Sequence, residues 1–258
     1  MEFVRHTAAL SRRSIVRFAR QPSTWIPGVV FPLLLAAVNS SAVSRATEIG
    51  GFPPGTTYLQ FLLPAAILQG VMFGAIAGGT ELATDIQTGF FERLLSSPVS
   101  RPAILIGRLA GATVFGVFQG ILFIGVLWPF GARVEGGVAG ALVLVAVGGA
   151  LSLGAGAFSA GLAARTGQPE AVQGFFPLVF IGLFLSSCFF PTQLMSGWYR
   201  WVAERNPLTW MADGIRYQVI VGFDLGQAGR AFAVVGVVIV VGLAFATSQI
   251  RHRWSVAG

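Results

Sequence analysis

The sequence predicts an all-α polytopic membrane protein with six transmembrane helices, and three observations carry that expectation. Of its 258 residues, 54% are hydrophobic and only 10% charged, where soluble domains carry about a quarter; the mean hydropathy is +0.74. Six stretches are apolar for long enough to cross a hydrocarbon core of about 30 Å, which takes roughly 20 helical residues. The arginines gather at the ends of those stretches, where they set the orientation of a membrane protein.

Residues 1–22 predict an amphipathic helix lying in the membrane interface. On a helical wheel Arg5, Arg12, Arg13, Arg17 and Arg20 fall within roughly 140° of arc, opposite Phe3, Val4, Leu10, Ile15 and Phe18. Such a helix sinks its apolar face into the acyl boundary and turns its arginines to anionic headgroups or to a partner. The arginines continue to Arg20 with no uninterrupted apolar core, which is not the pattern of a signal peptide.

The six spans are expected at 23–43, 58–80, 104–130, 138–164, 171–190 and 229–249. Pro32, Pro64 and Pro177 lie inside three of them, where neighbouring helices can satisfy the carbonyls a proline frees. Gly70, Gly74 and Gly78, and the pairs Gly107–Gly111 and Gly116–Gly120, have the G-x-x-x-G spacing that lets helices pack closely in lipid. With both termini in the cytoplasm the inner segments hold eleven of the 17 arginines and the outer segments six. That bias favours this orientation.

Two polar connections remain. Residues 84–97, between the second and third spans, predict a surface helix: Ile86, Phe90 and Leu94 form an i, i+4, i+8 stripe, and Asp85 and Glu92 share the other face. Pro98 stops it and Arg101 follows. Acidic residues suit an anionic inner leaflet poorly, so a protein partner explains them better. Residues 191–218 are too polar for a span but hold Trp198, Tyr199, Trp201 and Trp210, an interfacial aromatic signature. Pro191 and Pro207 break this segment into short pieces, which predicts a re-entrant pair of half-helices at the outer face. Asp213 and Arg216, three residues apart, are placed to pair on one helix face.

The composition excludes several functions. All 17 basic residues are arginine, whereas a P-loop needs a lysine at the phosphates, so the chain is not its own conventional P-loop ATPase. The single Cys188 permits no intrachain disulfide, and His6 and His252 show no metal-ligand spacing, so neither a metal nor a catalytic site is expected. The net charge of +7 reads as membrane orientation, with no nucleic acid as partner. The middles of the spans carry no charged residue, which argues against an ion-coupled transporter. A non-transporting scaffold fits a mobile, kinked, glycine-rich bundle less well. Gln69 and Gln119 within spans, and Phe176, Phe180 and Phe184 at i, i+4, i+8, are candidates for a substrate path, although core or lipid-facing packing accounts for the aromatics more simply.

The stretch GFFERLLSSPVSRPAILIGRLAG resembles the second-to-third-span loop of the ABC-2 type transporter permeases, especially short drug-resistance exporters similar to the daunorubicin transporter membrane subunit. Glu92, Arg93, Leu94, Leu95, Pro98, Val99 and Arg101 carry that match. The run NPLTWMADGIR resembles the family's outer re-entrant segment through Asn206, Pro207, Leu208, Thr209, Asp213 and Arg216. The lack of lysine is a departure, since many relatives use it in the coupling loop. The resemblance implies a six-span exporter subunit with ATP and Mg on a separate P-loop nucleotide-binding subunit, and no cofactor of its own. It implies that Asp85, Phe90, Glu92, Arg93, Leu94, Pro98 and Arg101 couple to that subunit, joined by Arg12, Arg13 and Arg17 against it or the headgroups. Asn206, Pro207, Thr209, Asp213 and Arg216 would form the outer gate. A second permease copy or a paralogue, and membrane lipids, are the other implied partners. A drug or other amphipathic molecule is the expected cargo; a lipid-linked polysaccharide is the alternative within the superfamily.

Overall fold

The computed structural model describes residues 2–42, 52, 55–96 and 101–257. These fold into α1 (Glu2–Arg20), α2 (Pro22–Ala42), α3 (Tyr58–Gln87), α4 (Phe90–Leu95), α5 (Arg101–Leu127), α6 (Gly137–Thr166), α7 (Pro169–Gln173), α8 (Phe176–Phe184), α9 (Gly197–Arg205), α10 (Pro207–Ile220) and α11 (Leu225–Ala257). Among the described residues, α2, α3, α5, α6 and α11 are long and apolar enough to cross a membrane. The chain is a multi-pass membrane protein.

α3 is the central helix, far more buried than α2 or α11. Its N-terminus is fixed by a capping box in which the Thr57 side chain accepts from Gln60 N–H and the Gln60 side chain accepts from Thr57 N–H. α5 packs antiparallel to α3 where Gly74 meets Phe115 and Gly70 meets Phe123. α6 runs parallel to α3, with Gly148 against Ile67 and Gly79 against Ser159. α11 follows α6 in the same direction, Gly154 lying on the backbone of Ile239. A Cβ on Gly116 would lie 2.5 Å from Ser152 Cβ on α6. The small-residue spacing therefore serves packing within the chain, except at Gly78, whose Cβ position is open.

The expected first, second, third, fourth and last spans are each a helix, but 171–190 is not. α7 ends at Gly174, α8 begins with Pro177 in its first turn and stops at Phe184, and turns follow. Hydropathy registers the length of this stretch but not its punctuation: Pro177 lacks the N–H an unbroken helix needs and opens a new one instead. The broken segment still runs the depth of the bundle. Val172 packs on Gly79 of α3, and Tyr58 Oη at the other end of α3 donates to Phe189 O at 2.8 Å. Those α3 positions are about 30 Å apart along a helix.

α1 also departs from expectation. Its apolar face is not left to acyl chains but lies along α5, running parallel to it. A Cβ on Gly107 would sit 2.5 Å from Leu10 Cβ, Ser14 abuts Gly111, and the Phe18 and Phe115 rings are 4.1 Å apart. Glycines at 107 and 111 remove the side chains that would hold the two helices apart, so protein packing replaces lipid as the partner of that face. Arg5, Arg12 and Arg20 remain exposed.

Candidate functional site

The polar residues collect at the two ends of the bundle. At one end α3 closes at Gln87 and Gly89 adopts a left-handed conformation (φ +68°), which turns the chain sharply into the six-residue α4. The expected helix over 84–97 is thus two pieces, and Gly89 breaks the helical phase between them. Asp85 consequently faces inward, not outward beside Glu92. It is buried, bonded to Arg108 of α5, and accepts from Arg17 of α1 at 3.2 and 3.4 Å, while Glu81 lies 3.7 Å from the same Arg17. One carboxylate between two guanidiniums joins α1, α3 and α5.

α4 is held from both sides. The Arg13 guanidinium sits 4.3 Å from the Phe90 ring centroid, Phe91 is buried, and Glu92 Oε1 accepts from Arg253 Nη2 of α11 at 3.4 Å. Arg253 Nη1 also donates to Ala164 O near the end of α6 at 3.0 Å. Leu94 lies with Leu10 and Ile104 in the seam between α1, α4 and α5. Arg93 and Arg12 are exposed. Pro98 lies outside the described residues, and of Arg101 only its place at the start of α5 is described.

At the opposite end, the NPLTWMADGIR run acquires a physical meaning. α8 ends early and leaves its last carbonyls without helical partners. Asn206, Thr209, Asp213 and Arg216 stand at i, i+3, i+7 and i+10, on one face of α10, turned to that frayed end. Asn206 Nδ2 donates to Gly182 O at 2.7 Å and Leu185 O at 2.8 Å, while its Oδ1 caps α10 by accepting from Leu208 N–H. Thr209 Oγ1 accepts from Ser187 N–H at 3.0 Å. Pro207 occupies the first turn of α10, where a missing N–H costs nothing.

Arg216 is the hub. It donates to Ser187 O at 2.7 Å and to Phe61 O at 3.2 Å, pairs with Asp213, and lies 3.8 Å from the Phe61 ring centroid. Burial lowers the guanidinium pKa from its ordinary value, and Asp213 opposes that. The expected Asp213–Arg216 pair exists, but as part of a network tying α10, α3 and the end of α8.

The candidates for a substrate path lie in separate helix contacts. Gln119 is fully buried, and its Nε2 donates to Gly28 O of α2 at 2.8 Å. That carbonyl is the one Pro32 frees by lacking an N–H, so Gln119 supplies the donor the proline takes away. Gln69 is buried beside Pro32 and Asn39, and among the described residues its Nε2 has no partner. The aromatic stripe packs inward in part: Phe176 and Phe180 lie 4.7 and 5.9 Å from Phe73 of α3, while Phe184 is half exposed.

Sequence reading missed the Arg17–Asp85–Arg108 cluster, Ser187 and the Arg253–Glu92 pair. The first was signalled by Arg108, a charge so close to an apolar span that burial demands a partner.

Residues 5–220 match the family model described as ABC-2 type transporter. The chain is 31% identical over 212 residues to a daunorubicin resistance ABC transporter permease protein, DrrB1, of Streptomyces coeruleorubidus, covering 79% of this chain and 71% of that one. It is 28% identical over 221 residues to the inner membrane transport permease YadH of Escherichia coli (80% and 79%). With a probable doxorubicin resistance permease, DrrC, of Mycobacterium tuberculosis it shares 23% over 224 residues (87% and 78%). The match takes in both polar ends, from the arginines of α1 through α4 to the last residue of α10, and on that extent the chain belongs to the ABC-2 type transporter family.

Proposed function

We propose that this chain is the membrane subunit of an exporter driven by ATP that a separate subunit hydrolyses. The observation that carries this reading is α4: a short helix beyond the end of α3, exposing Arg93 and braced by Arg13, Phe91 and Arg253. A loosely held loop would absorb a push; a helix tied to α1, α3 and α11 passes it on. The α4 end faces the cytoplasm, as the arginine bias favours, with α7–α8 making a sixth crossing and both termini inside. A nucleotide-binding subunit carrying ATP and Mg seats on α4 and on the exposed arginines of α1, and a second copy or a paralogue completes the transporter. Its closure on ATP moves α4 and α1, and one of two bundle arrangements is thereby favoured. Asp85 acts here by fastening α1, not by touching the partner. At the outer face α9 and α10 form the gate. The cargo is amphipathic, in keeping with drug-resistance relatives and with an interior that pairs aromatic rings with few polar groups.

Arg93→Glu tests the docking surface. The side chain is exposed, so folding is preserved, while a like-charge or mismatched contact across an interface costs several kcal/mol. In proteoliposomes with the copurifying ATP-binding subunit, ATP-dependent efflux should fall by at least about tenfold, with an unchanged thermal unfolding midpoint. Unaltered efflux would remove α4 as the docking element.

A further inference from the structure

We propose that the elbow between α1 and α2 binds one anionic phospholipid, its phosphate on Arg12 and an acyl chain in the apolar cavity bordered by α1, α2 and α5. The site goes beyond the exporter reading, and only its assignment to the inner leaflet rests on the orientation given there.

The cavity measures about 260 Å³, room for a stretch of one acyl chain, and among the described residues no charged side chain borders it. Ile15 and Phe18 of α1, Trp25 of α2, and Phe115 and Phe118 of α5 wall it. Val114 and Phe118 are exposed, so it opens away from the bundle, toward lipid. Contacts along α5 give the depth of each part. Leu10 meets Gly107, the Ser14 hydroxyl donates to Arg108 O at 3.4 Å, Phe18 meets Phe115, and the Trp25 ring lies 6.2 Å from that of Phe118. Arg12, before Ser14, thus lies level with the charged end of the span, and the cavity lies deeper.

Arg12, Ile15 and Ala19 stand at i, i+3 and i+7 on one face of α1, and Arg5 precedes Arg12 by seven residues on that same face. Side chains lean toward a helix N-terminus, so Arg12 leans from the cavity toward the headgroup level. This face therefore reads as a phospholipid does, charge first and chain beneath. Any spanning bundle is wrapped in lipid; what Arg12 adds is a preference for a negative headgroup. Arg5 and Arg12 are exposed and make no ion pair or hydrogen bond among the described residues. The single acid of α1 is Glu2, almost three turns before Arg12. The guanidinium can fork onto a phosphate, while this face offers no carboxylate to the ammonium of a zwitterionic headgroup. Arg13 and Arg20, seven residues apart, share the face turned to Phe90 of α4 and stay with the ATPase subunit. A soluble subunit does not reach a cavity that opens into hydrocarbon, so the occupant is a lipid.

The test uses the purified full-length chain in a neutral detergent, titrated with dioleoyl phosphatidylglycerol or with dioleoyl phosphatidylcholine, and native mass spectrometry reads the first lipid bound. The wild-type chain should bind phosphatidylglycerol about tenfold more tightly than phosphatidylcholine. Arg12→Gln should lower the phosphatidylglycerol affinity about fivefold and the phosphatidylcholine affinity much less. Arg251→Gln, which alters another exposed arginine at the same end of the bundle, should change neither. Val114→Trp, at an exposed position where packing is spared, fills the cavity and should weaken both lipids. Equal affinities on the wild-type chain, an equal loss from Arg251→Gln, or full phosphatidylglycerol affinity in Val114→Trp would overturn the proposal. The readout needs neither ATP nor transport, so failure of this site and failure of the exporter reading are told apart.

Discussion

Arg216→Met should loosen the α10 end of the bundle and cost about 3–5 kcal/mol of stability. The substitution keeps length and apolar stem but removes every donor. Phe61 O and Ser187 O lose their bonds, Cys188 O loses its longer one at 3.5 Å, and Asp213 loses its cation. A buried acceptor left without a donor, as Ser187 O would be, costs about 1–3 kcal/mol, while Phe61 O keeps its helical donor and the half-exposed Asp213 recovers water, which moderates the sum. Thermal unfolding in detergent reads the total. Amide exchange should localise the loss to α10 and to residues 185–188, with α5 and α6 little changed. Arg216→Lys should recover only part of it, because an ammonium cannot span carbonyls on two elements as a planar fork does.

The second large effect is expected at Asp85. Asp85→Ala leaves Arg108, with its side chain 21% exposed, facing Arg17 without the anion that separates them. Breaking one partner of such a cluster costs about 3 kcal/mol or more. The loss should appear first as release of α1 from α3 and α5, measurable as faster proteolysis between α1 and α2. Pairing Asp85→Leu with Arg108→Met should restore much of the stability, because an apolar pair needs no compensation. Arg17 would still have Glu81 within 3.7 Å. A double variant as unstable as Asp85→Ala would show that packing, not charge, holds this corner.

Apolar length located α2, α3, α5, α6 and α11 correctly because each is a long helix whose composition alone satisfies lipid. The same criterion overlooked the break in 171–190, since Gly174 and Pro177 interrupt the helix within a stretch that stays apolar as a whole. Asp85 was misplaced for a related reason. Its direction follows from the phase of α3, and one left-handed glycine at 89 separates that phase from α4. Glycines 107 and 111 announced a close helix contact, but spacing cannot say which helix comes close, and the answer is α1. Asn206, Thr209, Asp213 and Arg216 were legible as a set. Their purpose was not, because the groups they satisfy, carbonyls at Gly182, Leu185 and Ser187 together with the Ser187 N–H and hydroxyl, lie some twenty to thirty residues earlier in the chain, at the end of a helix the sequence did not show to be short.

The central claim is that α4 is a cytoplasmic lever on which a separate ATPase subunit bears. A single reactive cysteine tests it directly: Arg93→Cys in a background where the native Cys188 is fully buried, labelled by a membrane-impermeant maleimide in vesicles of either orientation. Modification is expected only when the inner face is accessible, and addition of the ATPase subunit should suppress it. Labelling from the outer face, or labelling that a saturating ATPase subunit leaves unchanged, would contradict the account.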